Sequence, residues 1–216
     1  MSHPATNEFE RMIKGQYFNS SNDLYERILS CHKVLESYNS LRVSDFGERS
    51  AILKSLVGSI GQRSMIVAPF YCDYGVNIAL GNSCFVNYDC VFLDSAPISV
   101  GDHVFIGPQV GIYTSMHPID ADLRGLWREK AKSIIIKNNV WIGGHATLCP
   151  GVTINEDVVI GAGSVVTNNI PSHVIAVGNP CHILHEITDE ERQIWQHYET
   201  EYQTWMKLVG KDEVRN

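Results

Sequence analysis

His117 is the residue best placed in this sequence to do chemistry. It sits in Tyr113-Thr-Ser-Met-His-Pro-Ile-Asp120, where a six-residue apolar repeat stops. An imidazole, with an ordinary pKa near about 6.5, takes up a proton and hands it back at neutral pH. A side chain at the break in a rigid repeat stands at the surface, where working residues concentrate. Trp141 is the second candidate. It follows an interior position of the repeat, so it is expected to point outward, as suits a groove or a subunit contact. No Gly-x-Ser-x-Gly elbow or reactive-cysteine signature is present, which speaks against a covalent enzyme intermediate. Six cysteines occur without a CxxC pair in a long chain that shows no export signal, so they read as reduced core residues. Cys72 and Cys90 are eighteen positions apart, one full three-sided coil, and are expected to stack on neighbouring strands.

The elements that hold these residues follow from spacing. Ile136, Ile142, Leu148, Ile154, Ile160 and Val166 fall six residues apart, and Val140, Ala146, Val152, Val158, Ser164 and Ile170 follow each by four. A helix places apolar residues three and four apart and a simple strand two apart, so neither alone fits. Short strands joined by tight corners do, each repeat forming one side of a stacked coil. Tyr74, Leu80, Val86 and Phe92 keep the same period, which restarts two residues out of phase at Val100, Ile106 and Ile112. The expected fold is therefore mainly β, a parallel β-helix over residues 65–187 with one inserted loop at 117–133. Residues 1–64 are expected to form a helical cap over the first coil, with helices near Glu8–Lys14, after Asn22 or Asp23, and after Ser44 or Asp45. Val174–Val177 reads as a strand. Over 188–216, Thr188 to Glu191 forms a capping box, and Ile194, Trp195, Tyr198, Tyr202 and Trp205 make one face of a C-terminal helix expected to dock on the coil or on a neighbouring subunit.

Composition narrows the function. The formal net charge is −7, and Lys and Arg gather only near Arg124–Lys132. Phosphate backbones need a basic face, so nucleic acid is not an expected partner. No apolar run approaches the roughly 20 residues that span a bilayer, so no membrane partner is expected. The N-terminus lacks the apolar core of a signal peptide, and the expected location is the cytoplasm.

Three stretches carry a family resemblance: Leu93-Asp-Ser-Ala-Pro-Ile98, Thr114-Ser-Met-His-Pro-Ile-Asp120 and Asn139-Val-Trp-Ile-Gly143. They closely resemble the maltose/galactoside O-acetyltransferases, within the hexapeptide-repeat acyltransferases, and the likeness runs over residues 7–187. The resemblance implies a left-handed β-helix, acetyl-CoA as acyl donor, no metal requirement, and a homotrimer with active sites between subunits. It implies direct transfer of acetyl to a hydroxyl of a sugar or other small hydroxylated acceptor, with His117 as general base. Asp73, Asn87, Asp94 and Ser95 match acceptor-binding positions. Trp141, Gly144, Ala162 and Thr167 match positions along the cofactor's arm, while Asn168, His182 and His185 fall where the family carries phosphate-binding cations. Tyr17-Phe18-Asn19-Ser20-Ser21 matches the segment that reaches the sugar, and Glu129 is a candidate to orient His117. Two other readings stand beside this one. One is a metal hydratase like the gamma carbonic anhydrases, using His103, His117 and His145. The other is a non-catalytic repeat scaffold.

Overall fold

The computed structural model describes residues 5–42 and 44–209. Residues 1–4 and 210–216, at the outer ends of the expected cap and tail, and Val43 lie outside them. The six-residue period becomes three flat faces of short parallel strands, each coil of chain adding one strand to every face. On the first face Ile60, Leu80, Val100, Ile136 and Ile154 stand in register. On the second face the same holds for Ile66, Val86, Ile106, Ile142, Ile160 and Ala176. On the third it holds for Cys72, Phe92, Ile112, Leu148 and Val166. These ladders fill the interior, and almost every member is buried.

The period is not uniform. In the upper coils Phe70 pairs with Cys90 and Val91 with Gly111, a repeat of twenty residues, whereas Thr147 pairs with Val165, a repeat of eighteen. Cys72 therefore pairs with Phe92, and Cys90 with Phe70, correcting the expected Cys72–Cys90 stack. The physical reason is one wide corner. Interior positions are six residues apart across the other two corners, but Cys72 and Leu80, and Phe92 and Val100, are eight apart.

The narrow corners use left-handed backbone. Arg63, Ser83, His103, Asn139, Asp157 and His173 occupy one such column, and Asp89, Gln109 and His145 another, all with φ between 54° and 62°. Asn, Asp and His adopt this conformation more readily than most residues. His103 and His145 are thus turn residues on two different corners. Side-chain amides and carboxylates stitch successive corners together: the backbone N–H of Gln62 donates to Asn82 (2.9 Å), that of Asn82 to Asp102 (2.6 Å), and that of Asp102 to Asn138 (2.9 Å).

The cap closes the open end of the stack. Helix α1 (Glu8–Ile13) starts on Asn7, whose Oδ1 accepts the Glu10 N–H at 2.8 Å. Helix α2 (Asn22–Ser40) starts on Ser21, and helix α3 (Phe46–Leu56) follows Asp45. Cys31, Leu35, Tyr38, Leu53 and Leu56 join the interior of the first coil. The Asn39 amide exchanges two hydrogen bonds of 2.9 Å with the backbone of Phe70, and the Tyr38 hydroxyl donates to the Ile66 carbonyl. Backbone groups that no earlier strand answers find partners here, and an open edge would otherwise invite another chain. Cys31 Sγ lies 3.6 Å from Cys72 Sγ, and the contact with that thiol first, then burial, pushes the Cys72 pKa far up.

The inserted segment is structured. Strands Ser115–Met116 and Arg128–Ala131 pair antiparallel, the second also pairs with Phe18–Asn19 of the cap, and helix α4 (Ala121–Gly125) lies between them. At the far end Val174–Val177 completes the second face, and His182–Glu186 returns antiparallel beside it, a strand the spacing did not announce. Thr188 and Glu191 form the expected capping box of helix α5 (Asp189–Leu208). No residue of this helix is buried, and its aromatic residues are about half exposed or more. Among the described residues no helix is long and apolar enough to cross a membrane.

Interior and outer leucines should therefore differ sharply. Leu148→Ala, at a site with no exposure, should cost about 2–5 kcal/mol, whereas Leu184→Ala, at a half-exposed site, should cost under about 1 kcal/mol. Equilibrium urea unfolding of both variants measures the contrast.

Candidate active site

The wide corner is where polar side chains collect. Asp94 is fully buried there. Its Oδ1 accepts the backbone N–H of Asp73 (3.1 Å) and of Tyr74 (2.8 Å), and its Oδ2 that of Asn77 (3.3 Å). The Asn77 amide donates back to the Asp94 carbonyl at 2.7 Å. Burial raises the Asp94 pKa, and the backbone donors pull it back. One coil further, Thr114 repeats the device: its hydroxyl donates to the Leu93 carbonyl (2.6 Å) and accepts the Ala96 N–H (2.9 Å). Each corner is thus braced by a side chain of the next coil. Gly75, at φ +71°, is required, since a Cβ would lie 2.3 Å from the Leu56 carbonyl oxygen.

Above this corner lies a cavity of about 340 Å³, lined among others by Phe18, Tyr25, Asp73, Ser95, Trp127 and Glu129. The braced corners, the Phe18–Asn19 strand and helix α2 of the cap, and the two strands of the inserted segment build it. Phe18 pairs with Glu129 and Asn19 with Arg128, which fixes the Glu129 side chain over the coil. The Ser20 hydroxyl donates to Glu129 at 2.9 Å, so this carboxylate engages the cap rather than His117. Asp73 faces it from the corner. Burial first, then Asp94 and Glu129, push the Asp73 pKa up to about 6. Trp127 is 71% exposed at the mouth and holds a left-handed backbone, φ +56°, away from the repeating corners. Such strain in a bulky residue often accompanies function.

The structure brings together Asp73, Asp94 and Ser95, with Ser115 on the same wall and His117 exposed just beyond the Ser115–Met116 strand. It does not bring Asn87 there. That residue sits at the corner between the second and third faces, its Oδ1 accepting the Tyr88 N–H at 2.9 Å. Trp141 is 56% exposed on the outside of the second face, with Phe105 and Val159 beside it. Gly144 and Ala162 lie at the same corner as Asn87, where Gly107, Gly143 and Gly161 stack so closely that a Cβ on Gly107 would meet Gly144 N at 2.6 Å. That corner carries a run of small residues beside an exposed indole. Thr167 and Asn168 lie across the third face, and Asn168 donates to Thr167 at 3.2 Å. His182 and His185 project from the last strand, exposed, and His185 Nε2 stands 3.6 Å from Glu191. One chain therefore presents the expected site residues on separate edges. The sequence had no signal for Trp127 or for the Ser20–Glu129 contact, because both depend on the pairing of cap and insert.

Comparison with known proteins agrees with this architecture. Residues 133–168 match the family described as bacterial transferase hexapeptide (six repeats), and residues 11–61 the maltose acetyltransferase hexapeptide capping motif. A galactoside O-acetyltransferase of Escherichia coli is 34% identical over 196 residues, 90% of this chain and 95% of the relative. The crystal structure of a maltose O-acetyltransferase from Clostridium difficile superposes with a TM-score of 0.84 at 42% identity, covering 86% of this chain and all of that one. A galactoside acetyltransferase in complex with coenzyme A superposes with a TM-score of 0.82 at 32% identity, covering 87% of this chain and 94% of that one.

The raised pKa of Asp73 sets a pH slope. Between the ordinary carboxylate value of about 4 and its own of about 6, the folded chain holds a proton that the unfolded chain has lost. Stability should therefore fall as pH rises through that window, and Asp73→Asn should remove this fall. Chemical denaturation of both proteins at about pH 4 and about pH 6.5 reads the difference.

Proposed function

This chain belongs to the hexapeptide-repeat family of maltose and galactoside O-acetyltransferases, and from that premise we propose that it moves acetyl from acetyl-CoA to a hydroxyl of a sugar or similar small acceptor held beside Asp73 and Glu129. The observation that carries this reading is the cavity next to His117, which combines carboxylates with aromatic walls. Carboxylates accept hydrogen bonds from hydroxyls, and Tyr25 and Trp127 offer faces against which a sugar ring can lie.

His117 acts as general base. It takes the proton of the acceptor hydroxyl as that oxygen attacks and then gives it to the departing thiolate, so the acetyl group passes directly between substrates. The acyl donor supplies the reactive thioester. Trp141, Gly144 and Ala162 support its thin arm along the corner of small residues, and Asn168, His182 and His185 lie toward its phosphates. Asp94 acts behind the acceptor by fixing the backbone that carries Asp73.

These groups lie on different edges of one chain, so the working site is shared in a homotrimer, one chain offering the His117 edge and its neighbour the Asn87–Trp141 edge. The protein works in the cytoplasm.

Two measurements test this. His117→Ala should lower turnover about 10²–10⁴-fold with its melting temperature unchanged; near-normal turnover would remove His117 from the mechanism. Inactive His117→Ala chains and inactive Trp141→Ala chains, unfolded together and refolded as mixed assemblies, should regain a substantial part of wild-type activity. Mixed trimers that remain as inactive as either parent would rule out a site drawn from two chains.

A further inference from the structure

A second cavity, of about 400 Å³, lies between helix α3 and the first narrow corner of the coil. It is remote from the transfer chemistry in topology, opening at Gly61–Val67 between the first and second faces, whereas the acceptor cavity belongs to the wide corner. Its floor is apolar: Tyr38, Leu53 and Ile66 are all buried. Phe46 and Met65 stand at its sides, 69% and 46% exposed, as apolar flanks covered by nothing in this chain.

Its charge is the unusual feature. Arg49, Lys54 and Arg63 line it and no Asp or Glu does, in a chain whose net charge is −7. Among the described residues none of these three cations forms an ion pair. Arg49 is fixed in place, its Nη2 donating to the Leu41 carbonyl at 2.6 Å and its guanidinium 5.8 Å from the Tyr38 ring. The Arg49 Nε is buried with no hydrogen-bond partner, the one such side-chain atom among the described residues. A buried donor left unpaired costs about 1–3 kcal/mol, more when charged. A fixed, partly unsatisfied guanidinium above an apolar floor is a place for an anion.

We infer that this cavity binds a small amphiphilic anion, an apolar body carrying a single carboxylate or phosphate head, with Arg49, Lys54 and Arg63 holding the head and Tyr38, Leu53 and Ile66 receiving the body. The volume lies in the range of small-ligand sites. A neutral apolar ligand leaves the three lining cations without a counter-charge, and a cationic one meets three like charges, so charge selects the class.

The test is calorimetric titration of the full chain with four probes sharing one alkyl body: decanoate, decyl phosphate, decanol and decyltrimethylammonium. The expected result is saturable binding of the two anions at one per chain, at least about tenfold tighter than decanol, with no binding of the cation. Their relative affinity tells a carboxylate head from a phosphate. The double variant Lys54→Gln/Arg63→Gln changes only exposed side chains. It should weaken the anions at least tenfold, leave decanol unchanged, and leave acetyl transfer at its wild-type rate. Ser50→Trp should block the cavity mouth and abolish binding of anions and decanol alike. Equal affinity for decanoate and decanol would reduce the site to an apolar crevice and overturn the proposal. So would absence of saturable binding, or anion binding indifferent to both variants. The binding outcomes do not depend on the acetyl-transfer reading.

Discussion

The parallel ladder between successive coils is the constraint on which everything else rests. Each coil's backbone N–H groups donate to carbonyls of the next coil, as Gly81 does to Val100, Gly101 to Ile136 and Gly107 to Ile142. A buried backbone group without a partner is costly, so the stack tolerates no coil that loses register. Register in turn demands an apolar residue at each interior rung and a backbone that turns at each corner. The ladder also explains the ends. The first coil has no earlier coil to answer it, and Asn39 and Tyr38 of the cap take that place. The last coil is answered by the returning His182–Glu186 strand.

The site grows from the same constraint. Where the corner is two residues wider, some backbone donors no longer face a carbonyl of the next coil. Asp94 answers three of them, and Thr114 serves the same purpose one coil on. A carboxylate spent on structure sits directly behind Asp73, and its field adds to burial in raising the Asp73 pKa. Polarity at this edge is therefore both a requirement of the fold and the raw material of the cavity above it.

The interior was legible in the sequence because a six-residue apolar period has few physical realisations. Ile136, Ile142, Leu148, Ile154, Ile160 and Val166 occupy the rungs that their spacing assigned. The slip of phase before Val100 was visible too, but its meaning was not. A coil of twenty residues differs from one of eighteen only in where the surplus sits, and Cys72 and Cys90 were misplaced for that reason. Helices α1, α2 and α3 lie where Glu8–Lys14, Asn22 or Asp23, and Ser44 or Asp45 were expected to place them, although Ser21 rather than Asn22 or Asp23 caps α2. The partnership of Ser20 with Glu129, 109 positions apart, left no local trace, since it depends on the cap and insert meeting on the same edge. His117 was legible as a break in pattern.

The unequal corners have a further consequence. Interior rungs across two edges of the prism are always six residues apart, but across the third the interval is eight, eight, twenty-four, six and then four. That edge behaves as an expansion joint. Chain can be lengthened or shortened there while every rung keeps its station, and closing a longer excursion costs little, about 0.6 kcal/mol for each doubling of its length. The excursion at this joint is the one that roofs the cavity and carries Trp127 and Glu129. Variation in what the cavity admits is thereby separated from the frame that supports it, so descendants of this scaffold can explore new loops at one seam while inheriting the prism unchanged.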